Sequence, residues 1–317
     1  LGEGPVRKRR AGSVRIYISA DMEGITGLVD AQDVQPGGRD YERGRVMMTE
    51  DVNAAVRGAL AGGATQVTVN DAHGPMRNLL PDLLHPAAAL IRGRPKPMGM
   101  LQGLSGDFDA AVCIGYHARA GALGVLSHSF MGHEIEDIWL DDRPAGEIGL
   151  VHATAAALGA PVIALSGDDA ACAEMADWDS AVATVAVKQA RDRFAAEVRP
   201  VTQARESIER VVSGAVGRGT AGHGGAGPGA AARGTADPGT GGQGTGGEGP
   251  GGAPGPPVTL AIRWQSASVP SVLAGIPGVT LRDSRTAQVS GRMPDLFRLL
   301  SVFISVAAAL TSQSPYC

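Results

Sequence analysis

The chain has 317 residues, of which 44 % are hydrophobic and only 4 % aromatic, enough for one large or two ordinary domains with an aliphatic core. A formal net charge of −4 and a pI near 6.0 exclude a general polyanion-binding surface, so no nucleic-acid partner is expected. The three cysteines, Cys113, Cys172 and Cys317, lack CxxC spacing, which argues against a disulfide scaffold or a thiolate zinc site and for a reducing, cytoplasmic setting.

Residues 1–12 contain the basic cluster Arg7-Lys8-Arg9-Arg10 with no long apolar region after it. They read as a flexible N-terminal arm and not as an export signal. The first strand is Val14 to Ile18, followed at once by Ser19-Ala20-Asp21-Met22-Glu23-Gly24. Two acids therefore stand just past a strand end, where open parallel α/β sheets build their sites. Left unpaired there they would repel and resist desolvation, so they ask for a cation. The glycine lets another group come close. Apolar residues near helical spacing predict a helix over 44–61, and Val67-Thr68-Val69 predicts a second strand ending at Asn70-Asp71-Ala72-His73-Gly74. A third strand, 110–114, runs into Gly115-Tyr116-His117, and His128 follows in Ser127-His128-Ser129. Strand 138–140 leads to a turn at 141–144, and a helix opens at Gly146 with Glu147 in its first turn. Further strands are expected at 161–165 and 184–187. These elements make residues 13–200 an α/β domain with a mostly parallel sheet flanked by helices.

Residues 201–212 read as a helical connector. From 213 to 257 the chain is almost wholly Gly, Ala, Pro and Thr, with glycine at 19 of 45 positions. So little side-chain surface does not offset the entropy of ordering, and the stretch reads as a disordered insertion. Order resumes in an alternating strand at 258–264, a hairpin pairing 279–281 with 286–289, and a terminal helix over 294–310. Residues 258–317 are thus expected as a smaller α+β domain. The longest apolar run, Leu299 to Leu310, is broken by serines and shorter than a bilayer span, so no membrane partner is expected and the chain reads as soluble.

Taken together, the strand-end loops carry Asp21, Glu23, His73, His117 and Glu147, with His128 close behind. Carboxylates and imidazoles without thiolates suit Zn²⁺, with Mn²⁺ and Co²⁺ as further candidates. Five ligands exceed what one tetrahedral zinc needs, whereas two metals sharing a carboxylate would use all five.

The motifs SADMEG (19–24), YERGR (41–45), VNDAHG (69–74), GYHARA (115–120), SHS (127–129) and DRPAGEIGL (142–150), with SGDD (166–169) and AVKQ (186–189), resemble those of the D-aminopeptidases of the DppA type, zinc peptidases of family M55. The resemblance covers residues 13–200 well and 258–317 more loosely. It implies that Asp21, Glu23, His73, His117 and Glu147 bind two zinc ions per subunit, with Asp21 bridging. It further implies that His128 is a catalytic histidine acting on the substrate rather than holding zinc, by attack, proton transfer or stabilisation of the tetrahedral intermediate; on physical grounds a metal-activated water attacks and His128 donates a proton or hydrogen bond to the developing charge. The implied substrates are short peptides with an N-terminal D-residue, D-alanine above all, and the implied assembly is a homodecamer of two five-membered rings. Arg43, Asn78, Arg119, Asp168 and Lys188 also sit in matching motifs, where salt bridges and loop hydrogen bonds are their expected work. The Gly-rich insertion departs from the usual pattern. Two other readings use the same residues: a dinuclear amidase for another small amide or an L-peptide, and a non-catalytic, metal-stabilised peptide-binding assembly.

Overall fold

The computed structural model of the chain describes residues 12–222 and 256–311. Strand β1 (Arg15–Ala20) is followed by a single-turn helix α1 (Ala31–Val34), the long helix α2 (Tyr41–Ala61) and β2 (Gln66–Asp71), a parallel βαβ unit as the periodicity predicts. Then come β3 (Ala88–Ile91), β4 (Ala110–Tyr116), β5 (Ile135–Leu140), β6 (Arg143–Ala145) and α3 (Glu147–Ala157). The chain continues through β7 (Val162–Asp168), α4 (Asp169–Trp178), β8 (Ala183–Asp192), β9 (Ala195–Val198) and α5 (Val201–Gly222). It ends with β10 (Val258–Trp264), α6 (Ser268–Leu273), β11 (Thr280–Asp283), β12 (Thr286–Gly291) and α7 (Met293–Thr311).

Seven strands form the main sheet in the order β3-β2-β1-β4-β7-β8-β9. All pairs are parallel except β8 with β9. After β1 the chain builds outward to β2 and β3, then returns to place β4 on the other side of β1. The switch point therefore lies between β1 and β4, and the crevice at their carboxyl ends is where such sheets bind ligands. Both faces are covered. Ile16, Ile18 and Ala20 of β1 pack with Val112 and Ile114 of β4 beneath α2 and α5. Tyr17 and Cys113, one step out of phase, join α3, α4 and the second sheet on the opposite face. The alternation follows from the period of two in a strand buried on both sides.

The second sheet is antiparallel, in the order β11-β12-β10-β5-β6. It crosses the expected boundary between 13–200 and 258–317, because β10 pairs with β5 rather than closing a sheet of its own. The β5–β6 hairpin turns at Asp141 and Asp142, both with positive φ, as a two-residue reversal needs. Residues 143–144, expected in the turn, already belong to β6.

The first part of the expected disordered insertion, 213–222, is helical instead. Helix α5 runs on to Gly222 because Ala204, Ile208, Val212, Ala215 and Val216 keep a helical stripe buried against α2. Glycine at 58 permits that approach, since a Cβ there would overlap the Glu209 carbonyl. The remainder of the insertion, 223–255, and residues 1–11 of the expected arm lie outside the described residues.

Helix α7, 19 residues long, is long and apolar enough to cross a membrane by length and composition alone, contrary to the expectation from its apolar run. It instead buries Leu296, Phe297, Leu300, Phe303 and Ala307 in the core against the second sheet.

Candidate metal centre

Each expected site residue reaches the crevice by a short route from an ordered element. Asp21 and Glu23 leave β1 in a loop tied to β4 by Asp21 N–H to the Ile114 carbonyl and Gly24 N–H to the Gly115 carbonyl, both 2.8 Å. Gly24 is needed there, because a Cβ would overlap the carbonyl oxygen of Tyr116. His73 follows β2, and His117 follows β4. His128 comes from the loop beyond β4, in which Leu126 and Phe130 both hold positive φ, a costly conformation for non-glycine residues that marks a constrained loop. Glu147 enters from the second sheet as the first residue of α3, and the Phe130 amide donates to its Oε1 at 2.6 Å.

All six side chains meet, in two adjacent groups: Asp21, Glu23 and His73 in one, His117, His128 and Glu147 in the other. Asp21 connects them. Its Oδ1 lies 3.2 Å from His73 Nδ1 and its Oδ2 3.5 Å from His117 Nε2. Glu23 Oε2 is 3.0 Å from His73 Nδ1, and Glu147 Oε1 is 3.4 Å from His117 Nε2. His128 Nε2 stands farther back, 3.9 Å from Glu147 and 4.0 Å from Glu23, with its ring stacked on His117 at 4.1 Å.

The orientation of the rings follows from their other nitrogens. His73 Nε2 faces the Val34 carbonyl at 2.9 Å, His117 Nδ1 the Ala118 carbonyl at 3.0 Å, and His128 Nδ1 the Leu126 carbonyl at 2.9 Å. A carbonyl oxygen only accepts, so each of these nitrogens carries the proton. In the neutral ring the second nitrogen then presents a lone pair to the carboxylates, the arrangement that metal-ligating histidines show.

Lone pairs aimed at carboxylates need a cation between them. Asp21 Oδ2, Glu23 Oε2 and His117 Nε2 are buried without a hydrogen-bond partner, a costly condition that an N/O-ligated divalent ion relieves. The electrostatics of the protein alone agree. Burial and the neighbouring Glu23 push Asp21 up to about 7. Burial is the largest single influence on His73 and His117 and opposes their protonation, yet Glu23 with Asp21 at His73, and Glu147 with Glu23 and Asp21 at His117, together outweigh it and raise both well above the ordinary range. Glu23 and Glu147 are in turn held down, against burial, by His73 and His117. Protons thus substitute for positive charge that the carboxylates demand. His128 goes the other way: burial and the adjacent His117 lower it.

The motif residues left without a site role mostly support the loops. Lys188, fully buried, donates to the carbonyls of Glu23, Ile25 and Leu28 and so pins the acidic loop. Asn78 donates to Asp71 and to the His73 carbonyl. Asp168 caps α4 and accepts from Val125 at the root of the His128 loop. The Arg119 amide donates to Glu174, and Arg43 is exposed. Val34, whose carbonyl orients His73, carried no sequence signal because the contact uses only backbone.

The centre opens into a cavity of about 680 Å³, bounded by Asp21, Glu23, His73, His128 and Glu147 at one end and by α7 along one side. An α/β sheet with three carboxylates and three imidazoles gathered at its switch point has the donor set of an N/O-ligated metal centre. The family assignment sharpens this: the chain belongs to peptidase family M55, the D-aminopeptidases, whose family model matches residues 14–228. It is 44 % identical over 182 residues to a D-aminopeptidase of Bacillus subtilis (strain 168), covering 57 % of this chain and 66 % of that protein, so the chain spans just under two thirds of the length of the curated relative it matches. Its fold is similar to that of a solved structure, the Zn-dependent D-aminopeptidase DppA from Bacillus subtilis, described as a self-compartmentalizing protease. The TM-score is 0.78 at 30 % identity, over 96 % of this chain and 100 % of that one.

Proposed function

We propose that this chain is a dinuclear zinc aminopeptidase hydrolysing short peptides with an N-terminal D-amino acid. The observation that carries the reading is the pair of three-residue groups joined through Asp21, with unpartnered buried oxygens and nitrogen facing one another. Asp21, Glu23, His73, His117 and Glu147 would hold two zinc ions, with Asp21 shared. Zinc, when bound, supplies Lewis acidity toward the peptide carbonyl and lowers the pKa of water to near neutrality.

The remaining chemistry belongs to the chain. His128 stands back from the five ligands and keeps Nδ1–H on the Leu126 carbonyl, so its neutral ring offers a lone pair at Nε2 toward the cavity. Its lowered pKa keeps it in that form near pH 7. His128 therefore takes a proton at Nε2 before it donates one, rather than acting first as a donor. In hydrolysis the attacking water releases that proton to Nε2, its oxygen joins the carbonyl carbon, the C–N bond breaks, and Nε2 returns the proton to the departing amine. The apolar cavity wall of Phe130, Phe297, Leu300 and Ile304 excludes competing water along the substrate. D-stereospecificity and D-alanine preference are part of the proposal, supported by the family and by the B. subtilis relatives. So is assembly into a homodecamer of two five-membered rings, supported by the relative's self-compartmentalizing description. A cytoplasmic setting agrees with the free thiols of Cys113 and Cys172.

The deciding experiment is hydrolysis of D-Ala-D-Ala and L-Ala-L-Ala by zinc-loaded and chelator-treated protein. Metal-dependent cleavage of the D-peptide alone is the expected result. Cleavage of the L-peptide at an equal rate overturns the stereospecificity, and cleavage of neither overturns the substrate. Light scattering that returns a mass near the 32.2 kDa of one chain overturns the decamer.

A further inference from the structure

The cavity that opens on the metal centre is electrically two-ended. Three carboxylates lie at its floor, whereas Arg94, Lys96 and Arg298 line it elsewhere. Two of these cations are already engaged. The Lys96 ammonium is buried and donates to Asn70 Oδ1 at 2.8 Å, the Asp71 carbonyl at 2.6 Å and the Ile91 carbonyl at 3.2 Å, which uses all three of its protons. Arg298 faces Asp295 at 3.8 Å. Arg94 stands in the loop after β3, at the same carboxyl edge of the sheet as His73, and is exposed. Among the described residues it makes no ion pair and no hydrogen bond. It also lies close enough to Lys96 to add its repulsion to burial, which together lower the Lys96 pKa to about 8. Two like charges side by side, one without a counter-ion, form a pole that attracts an anion.

A short peptide cleaved from its amino end carries one obligatory anion, its C-terminal carboxylate. A guanidinium offers paired donors that match a carboxylate's two oxygens. We infer that Arg94 is a specificity-determining residue whose guanidinium binds the free C-terminal carboxylate of the substrate, selecting di- and tripeptides over longer chains and C-terminally blocked ones. The inference rests on the aminopeptidase reading for the other end of the substrate. Arg94 does not touch the reacting bond, so its effect falls on KM and not on kcat.

The test compares D-Ala-D-Ala with D-Ala-D-Ala-NH₂ in the zinc-loaded full chain, in the wild type and in Arg94→Met and Arg94→Lys. In the wild type the acid is expected to have a KM about 10- to 100-fold below that of the amide, the range of one charge-assisted hydrogen bond. Arg94→Met is expected to raise KM for the acid by a similar factor, leave the amide within about twofold, and leave kcat for both nearly unchanged. Arg94→Lys is expected to restore part of the preference. Equal KM values for acid and amide in the wild type overturn the inference, as does an equal rise for both in Arg94→Met. If neither compound is cleaved, the aminopeptidase reading fails separately, and calorimetric binding of the same two compounds decides the point. Tighter binding of the acid that Arg94→Met abolishes supports the subsite. Equal affinities, or no binding at millimolar concentration, overturn it.

Discussion

The two sheets contribute to one cavity in different ways. The parallel sheet delivers Asp21, Glu23, His73 and His117 from the ends of three adjacent strands, β1, β2 and β4, whose backbones are locked on both sides. The antiparallel sheet and its helices deliver one ligand candidate, Glu147, and the long wall of α7. Atoms held at the ends of buried parallel strands have little freedom to drift, which suits chemistry that needs sub-ångström placement. A wall made by a terminal helix over a hairpin sheet can vary in shape without disturbing those strands, which suits the choice of substrate. The ligand candidates thus come mainly from the parallel strand ends and the apolar wall from α7, while Arg94, in the loop after β3, is the parallel sheet's own contribution to substrate selection.

The sharpest break of that division is at the strand ends. Glu23→Gln and His117→Ala are each expected to lower bound metal and to reduce turnover by about a thousandfold or more, the scale of losing metal-assisted charge stabilisation. Elemental analysis beside a rate assay checks this, and full metal occupancy at normal rate in both variants would sink the assigned centre. His128→Gln is expected to keep its metal yet lose about 10²- to 10⁴-fold in kcat, the contribution of a positioned acid–base group. A variant that loses metal in parallel with rate would make His128 a ligand instead.

Removal of metal is expected to lower Tm by about 6 °C, the shift for a ligand present near a thousand times its Kd in a chain of this size. Calorimetry with and without chelator measures it. An unchanged Tm would mean that the carboxylate edge is not held by an ion. Lys188→Met is expected to cost about 2–4 kcal/mol in urea unfolding, because the buried carbonyls of Glu23, Ile25 and Leu28 lose their shared donor. Its pH dependence gives an independent check. Burial lowers the Lys188 pKa to about 8 in the folded chain, against about 10.4 when unfolded. Between those values the unfolded chain binds the additional proton, so wild-type stability gains with rising pH a contribution that Lys188→Met lacks. Parallel pH profiles for the two proteins would contradict it. The smallest effect is expected at Asn78, whose side chain reaches the site only through the His73 carbonyl and Asp71. Asn78→Ala should weaken metal affinity about tenfold, the scale for a group that supports a ligand from behind. A competition titration with a metal indicator reads it, and an unchanged affinity would show that β2 alone holds His73.

The sequence by itself determined the strands β1, β2 and β4, the helix between the first two, and the residue types that stand at their ends. Each of those signals is local: a β-branched run, a helical spacing, an acid or histidine beside a glycine. The meeting of Asp21, Glu23, His73 and His117 was legible because a repeated strand-then-loop order in an α/β chain places successive loops at one sheet edge, whereas Glu147 arrives from the second sheet and its place in the site was legible only through the family resemblance. Only the tertiary structure decided that β10 pairs with β5, more than a hundred residues away, because antiparallel partners carry no mark of each other in composition. It likewise decided that α5 continues through a glycine-rich stretch, where packing on α2 outweighs weak helix propensity. The direction of each imidazole lone pair, the buried Lys188 that holds the acidic loop and the place of Arg94 in the cavity lining also belong to the structure alone. Backbone carbonyls and counter-charges from distant elements set all three, and these come together only when the chain has folded.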